Sequence, residues 1–244
     1  MTARPHPPGP SDRCAPDGDP CGTGAGTGTG PTAPRPSTRR SGRIVVLASG
    51  AGSTLAALLA AHDDPAWGAH VVAVVSDRPG AGALDVARSA GVPTAVVAMA
   101  DFPDRLAWDR ALADAVGVFG PDLVVLAGFM RLVGPPLLES YAGRMLNTHP
   151  ALLPAFPGAH AVRDALAHGV RVTGCSLIVV DAGVDSGPIV AQVPVPVLDD
   201  DDEASLHERI KVAERVMLVE TVGRVARDGL TVEGRHARVG RRFR

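Results

Sequence analysis

At 244 residues, with 45% apolar and only 3% aromatic residues, the chain is long enough for one substantial core, which must be built from Ala, Val and Leu. The net charge of −2 is uneven: residues 1–41 and 231–244 are basic, the middle is left at about −8, and the foldable part therefore has no general nucleic-acid footprint. No apolar run approaches the ~18 residues of a membrane span, no secretory apolar region opens the chain, and three Cys without framework spacing fit a reducing cytoplasm. Lys211 is the only lysine in an Arg-rich chain, a compositional sign of a GC-rich, bacterial genome.

Residues 1–41 are nearly all Pro, Gly, Ser, Thr and Arg and cannot bury enough apolar area to offset their ordering entropy, so a disordered tail is expected there. From Arg43, apolar strands alternate with helical patterns. "RIVVLA" (43–48) reads as a strand, "STLAALLAAH" (53–62) as a helix and "HVVAVVS" (70–76) as a buried strand. "AGALDVARSAG" (81–91) reads as a helix closed by a C′ glycine, and "PTAVVA" (93–98) as a third strand. A longer helix over 102–120 leads into "DLVVLAG" (122–128), a short helical piece, and "RMLNTH" (144–149). Continuous Val/Leu runs joined by helices predict an open, mostly parallel α/β sheet with helices on both faces.

After residue 170 two strands, "RVTGCSLIVVD" and "PIVAQVPVPV", are separated only by a loop, which predicts an antiparallel pair toward the C-terminus. A last amphipathic helix is expected from about Glu203 to Arg227. One domain is expected over 42–232, with 233–244 a basic, solvated tail.

Three segments carry candidate chemistry. "LASGAGSTL" (47–55) follows the first strand and opens the first helix; its glycines, the free N–H groups of the helix start and the hydroxyls of Ser53 and Thr54 suit a phosphate, although a tight connection alone would also explain it. It lacks the third glycine of a dinucleotide fingerprint and the lysine of a Walker loop. In "GRMLNTHPALLP" (143–154), Asn147 and His149 are two apart at the carboxyl end of a parallel strand, so both face the same way where open α/β sheets bind ligands. "VVDAGVDSGPI" (179–189) holds Asp181 and Asp185; Asx-turn chemistry explains such aspartates, but a loop folding back would let a carboxylate orient His149.

Other polar residues have plainer accounts. The run "DDDDE" (199–203) is read as a cap on the last helix and not as a metal loop, since it lacks the interleaved spacing and glycine of a calcium site. His62, His70, His168 and His207 show no ligand spacing and are read as surface residues. Lys211 and Glu214, one turn apart, are read as an i,i+3 ion pair.

Together, "VVLASGAGSTL", "DLVVLAGFMRLV", "LNTHPALLPAFPGAHAVRDAL", "GVDSGPIVAQ" and "RIKVAE" resemble the phosphoribosylglycinamide formyltransferase family from about Arg43 to Val232. The resemblance implies a Rossmann-like formyltransferase fold and formyl transfer from 10-formyltetrahydrofolate to the amine of glycinamide ribonucleotide, a step of purine biosynthesis. It implies a catalytic trio of Asn147, His149 and Asp185, and a ribonucleotide site of Gly52, Ser53, Thr54, Lys211 and Glu214. The folate is implied to meet Arg105, Met130, Arg131, Leu132, Val133, Asn147 and the loop Asp181, Ala182, Gly183, Val184 and Asp185. It implies small-molecule substrates, no metal, no nucleic acid or membrane partner, and a cytoplasmic monomer or homodimer. The resemblance breaks in two places: Leu177 and Ile178 stand in the strand where many members have a His, and Glu214-Arg215 stands where an "EH" pair is common.

The chemistry suits these residue types. An amine attacking a formyl carbon forms a tetrahedral species with a negative oxygen, to which Asn147 and a cationic His149 would donate; one such donor is commonly worth ~2.7–4 kcal/mol of barrier. The alternatives are formyltetrahydrofolate hydrolase, which would need an N-terminal regulatory domain, and methionyl-tRNA formyltransferase, which would need a C-terminal tRNA domain. A non-catalytic phosphate-binding module using only "GAGST" is the alternative of a different class.

Overall fold

The computed structural model describes residues 41–240; the segment expected to be disordered lies outside the described residues except for Ser41, as do residues 241–244. Strands β1 (Gly42–Leu47), β2 (Ala69–Ser76), β3 (Thr94–Val96), β4 (Leu123–Leu126) and β5 (Met145–His149) are mutually parallel, in the order β3-β2-β1-β4-β5. β6 (Val172–Val179) runs antiparallel to β5, and β7 (Ile189–Pro196) antiparallel to β6, as the helix-free spacing predicts. The helices are α1 (Ser53–Ala61), α2 (Gly82–Ser89), α3 (Arg105–Gly117), α4 (Pro135–Ser140), α5 (Ala161–His168) and α6 (Glu203–Asp228).

Strand alternation builds two apolar layers. Ile44 and Val46 of β1 point to a cluster shared with Leu55, Leu58, Leu206, Ile210 and Leu218 of α1 and α6, whereas Val45 and Leu47 point to Trp108, Leu112, Val116 and Leu137 of α3 and α4. These β1 side chains are fully buried, each worth ~1.5–3 kcal/mol relative to exposure. The two tryptophans are buried with their N–H groups satisfied, Trp108 by the Val97 carbonyl at 2.8 Å and Trp67 by the Val219 carbonyl at 2.7 Å.

The order of the strands decides where a ligand can sit. Chain progression reverses between β1 and β4, so the loops leaving their carboxyl ends diverge and open a crevice. β5 is the next strand over, paired with β4 through Leu126 and Asn147, which brings its carboxyl end to the flank of that crevice.

The capping reading of the acidic run holds: Asp202 is the N-cap of α6, accepting from Ser205 N at 2.7 Å and completing a capping box, while Asp201 grips Arg209. α2 likewise ends before Gly91, which takes φ +69°. The helix expected over 102–120 begins later, at Arg105, because Asp104 caps it by accepting from Ala107 N at 2.8 Å.

Other expectations need correction. α5 was not anticipated; it makes two turns between Gly158 and the left-handed Gly169, too short for a periodic signal. The domain does not stop at 232, and 233–239 is not tail. β8 (Leu230–Glu233) turns at Gly234 (φ +58°) into β9 (His236–Val239), whose His236 pairs with Ile189 of β7. Leu230, Val232, Ala237 and Val239 pack on the α6-side core, an apolar alternation masked in the sequence by its arginines. Among the described residues no helix is long and apolar enough to cross a membrane.

Candidate active site

β5 sorts its polar residues by parity. Met145 faces the α3-side core and Leu146 the α6-side core, so Asn147 and His149 share one face and Thr148 the other. Thr148 Oγ1 accordingly donates to Glu214 Oε1 of α6 at 3.0 Å. No side-chain hydrogen bond engages Asn147 among the described residues, and its antiparallel partner is the buried Ile178. The position where the resemblance leads one to look for an imidazole is thus part of the apolar packing.

His149 is 4% exposed and is held from two sides. Its Nδ1 lies 3.3 Å from Asp185 Oδ2, and its Nε2 lies 2.7 Å from the Phe156 carbonyl. Both neighbours are acceptors, so a ring that donates to both carries two N–H groups. The fold-back that the sequence left open therefore occurs: Asp185 reaches His149 across 36 residues of chain, and its Oδ2 also accepts from Gly158 N at 2.8 Å. Asp185 (φ +50°) and Phe156 (φ +52°) are the described non-glycine residues in the left-handed region. Two strained residues whose groups converge on one imidazole mark a site where geometry is imposed at a cost of about 1–3 kcal/mol each.

Asp181 behaves differently. Its Oδ1 accepts from Gly183 N at 3.0 Å and Ser186 Oγ at 2.7 Å, the Asx-turn account, and Asp181, Ala182, Gly183 and Val184 form an exposed rim. Gly187 closes the loop, since a Cβ there would collide with the Val179 carbonyl.

The crevice wall formed by the loop after β1 contains Gly52, the N-cap of α1, at φ +87°; a Cβ on it would lie 2.7 Å from the Ala83 Cα. Only glycine satisfies both constraints. No side chain caps α1, so its first N–H groups are free for an anion beside exposed Ser53 and half-buried Thr54.

The opposite wall, after β4, is braced by a network the sequence reading missed. Asp77, at the end of β2 with a side chain of 0% exposure, accepts from Ser49 Oγ at 2.5 Å and Arg131 Nε at 3.0 Å, and Ser49 Oγ accepts from Met130 N at 2.9 Å. Three loop starts are tied through one carboxylate. Arg105 closes the far side, donating to Asp109 at 2.9 Å and to the Leu132 carbonyl, with its guanidinium 4.9 Å above Trp108. Arg105 and Arg131 thus shape the loop, Val133 packs on the core, and Met130 (68% exposed) and Leu132 (62%) present apolar surface at the mouth.

Ser176 and Gln192 were also missed. Ser176 Oγ donates to the Ala151 carbonyl and accepts from Leu153 N, while Gln192 Nε2 donates to the Leu153 carbonyl at 2.9 Å, fixing the loop that carries Phe156. Their signal was available in "CSLIVV" and "GPIVAQ": polar residues inside otherwise apolar strands.

On α6 the expected Lys211–Glu214 ion pair is replaced. Lys211 Nζ bonds Glu208 at 2.7 Å and Glu214 turns inward to Thr148. Burial pushes the Glu214 carboxyl above its ordinary range, and the Thr148 hydrogen bond only partly offsets it. Burial, reinforced by the nearby Glu214 charge, pushes the Cys175 thiol up to about 12. His168 is exposed, as expected, and His207 half-buried. His62, read as a surface residue, is instead buried, with 9% exposure.

A cavity of about 220 Å³ borders Asp185, Leu153 and Val184. A larger one, about 760 Å³, lies at the opposite end of the sheet among Gly42, Asp122, Arg144 and Asp228, touching none of the candidate site residues.

The profile of the family described as formyl transferase matches residues 42–222, which span both crevice walls, β5 and the Asp185 loop. The chain belongs to the formyl transferase family. Within that family it is 57% identical over 202 residues to the phosphoribosylglycinamide formyltransferase of Mycobacterium tuberculosis (strain ATCC 25618 / H37Rv), covering 82% of this chain and 92% of that protein. It is 41% identical over 174 residues to the Escherichia coli (strain K12) protein of the same name, covering 71% and 82%. The crystal structure of glycinamide ribonucleotide transformylase 1 from Symbiobacterium toebii superposes with a TM-score of 0.80 at 45% identity, over 82% of this chain and 95% of that one. As a formyl transferase the chain is an enzyme, and its mostly parallel sheet with an antiparallel C-terminal pair is the architecture of these relatives.

Proposed function

We propose that the enzyme transfers the formyl group of 10-formyltetrahydrofolate to the amine of glycinamide ribonucleotide, a step of purine biosynthesis in a bacterial cytoplasm. The observation that carries this reading is the pairing of His149 with Asp185 beside an unengaged Asn147, at the carboxyl end of β5. The free N–H groups at the start of α1, with Gly52, Ser53 and Thr54, take the ribonucleotide phosphate. Glu214 and Lys211 lie on the α6 side of that substrate. The apolar rim of Met130 and Leu132, the loop held by Arg105, Arg131 and Val133, and the Asp181–Asp185 loop take the folate.

The amine nitrogen attacks the formyl carbon, the carbonyl oxygen becomes negative, and collapse breaks the bond to the folate nitrogen, which takes up the proton the amine gives up. Asn147 Nδ2 donates to the developing oxygen. His149 already spends its Nε2–H on the Phe156 carbonyl, so the substrate oxygen competes for that hydrogen, and Asp185 stabilises the cationic ring through Nδ1. No step in this sequence requires a metal. The proposed site residues all lie between Gly52 and Glu214, inside the domain that β8 and β9 complete, and the enzyme acts on small molecules as a monomer or homodimer, without a nucleic-acid or membrane partner.

The test is tetrahydrofolate formation with and without glycinamide ribonucleotide. Turnover that depends on the amine is expected; amine-independent turnover would assign the chain to the hydrolase, and no turnover with either would sink the reading. His149→Ala is expected to lower kcat by at least about 10²-fold, and a near-normal kcat would remove His149 from its role.

A further inference from the structure

We propose that His62, Asp63 and His70 form a surface site for a divalent transition-metal ion of the zinc type, at the end of the sheet remote from the crevice. His62 is the C-cap of α1 and His70 the second residue of β2. The turn between them is closed by Asp64 N to the Ala61 carbonyl at 3.1 Å and Trp67 N to the Asp64 carbonyl at 2.9 Å, and it returns the chain so that the two imidazoles stack with centroids 4.9 Å apart. One ligand atom from each of the three residues falls within 4.8 Å of the others. Spacing in the sequence hid this set, because residues eight apart meet only through that turn.

Two features distinguish the cluster from a casual group of polar residues. His70 Nδ1 lies 3.2 Å from the His62 carbonyl; donating to it leaves Nε2 with its lone pair outward, the second-shell arrangement typical of metal-bound histidine. His62, though buried, has no hydrogen-bond partner on Nδ1 among the described residues, and its Nε2 stands 3.5 Å from Asp63 Oδ2, so no strong hydrogen bond consumes its lone pair. Two imidazoles and a carboxylate are a borderline donor set suited to zinc. Asp63 and His70 are exposed, which leaves the remaining coordination position to water.

The rings are now only 9° from parallel, and a metal must lie in both ring planes. The exposed His70 ring therefore tilts toward His62 on binding. The same turn is tied to α6 by the Trp67 indole N–H on the Val219 carbonyl and by Arg227 on the carbonyls of Ala66 and Trp67. Occupancy would stiffen the α1–β2 connection against α6 without touching the reacting groups.

The experiment uses the full chain carrying Cys14→Ser and Cys21→Ser, so that those thiols do not compete, stripped with a chelator and titrated with zinc chloride by calorimetry. One ion per chain with micromolar affinity is expected, with a melting temperature that rises on saturation. His70→Ala and Asp63→Asn, both exposed substitutions, should each weaken binding at least about tenfold. Absence of saturable binding below about 1 mM zinc, or undiminished affinity in folded His70→Ala, would overturn the site.

Discussion

Replacing Asp77 by alanine tests whether a buried carboxylate outside the trio shapes the active-site mouth. The substitution removes the acceptor of two charge-assisted hydrogen bonds, from Ser49 at 2.5 Å and Arg131 at 3.0 Å, at a side chain of 0% exposure. Breaking a buried pair from one side commonly costs ~3–5 kcal/mol, because the abandoned charge stays buried. Here the Arg131 side chain is 40% exposed and can regain water, which brings the expected cost to about 2–3 kcal/mol. For a body of this size that corresponds to a melting temperature about 5–10 °C lower. The loop bearing Met130 and Arg131 loses its anchor on Asp77, and Ser49, which still accepts from Met130 N, loses the carboxylate that holds it in place, so the KM for the folate should rise several-fold while kcat, set on β5, changes little. Asp77→Asn, which keeps the shape and one acceptor, should fall between. Thermal melts and steady-state kinetics on the same preparations decide it. A melting temperature unchanged within about 1 °C would refute the brace, and a lowered one with an unchanged folate KM would refute its link to the site.

Glu214 supplies a prediction in pH. Its folded carboxyl titrates above the ordinary 4.5, so just above that pH the folded state retains a proton the unfolded chain has lost, and stability falls as pH rises through the window. Glu214→Gln keeps an acceptor for Thr148 and should melt higher than the parent at pH 8, with the difference vanishing below pH 4.5, while activity on the ribonucleotide drops. Equal melting temperatures at pH 8 would contradict the buried-charge account. Cys175, with its thiol pushed up to about 12, should remain unalkylated by iodoacetamide at pH 8 in the native protein. Peptide mass spectrometry showing labelling as fast as in denaturant would refute this.

Much of the fold was legible because its signals are local. Val/Leu runs alternating with 3.6-period segments specify parallel strands and their covering helices, and the missing helix between residues 181 and 188 specifies the antiparallel turn. The period of two along "LNTH" put Asn147 and His149 on one face before any coordinates. Where reading failed, the signal was short or non-local. α5 has eight residues, and β8 and β9 have four each, their short apolar alternation interrupted by arginines and put to use only by packing on the α6-side core.

The sequence by itself determined strands β1 to β7, the helices that cover them apart from α5, the shared face of Asn147 and His149 and the residue types of the reacting centre, since these follow from periodicity and chemistry along one stretch of chain. Tertiary structure alone decided the partnerships. It brought Asp185 to His149, turned Glu214 away from Lys211 toward Thr148, sank Asp77 between Ser49 and Arg131, and stacked His62 on His70. Such pairs depend on how separate elements pack, and packing is a property of the whole core that no local window of residues contains.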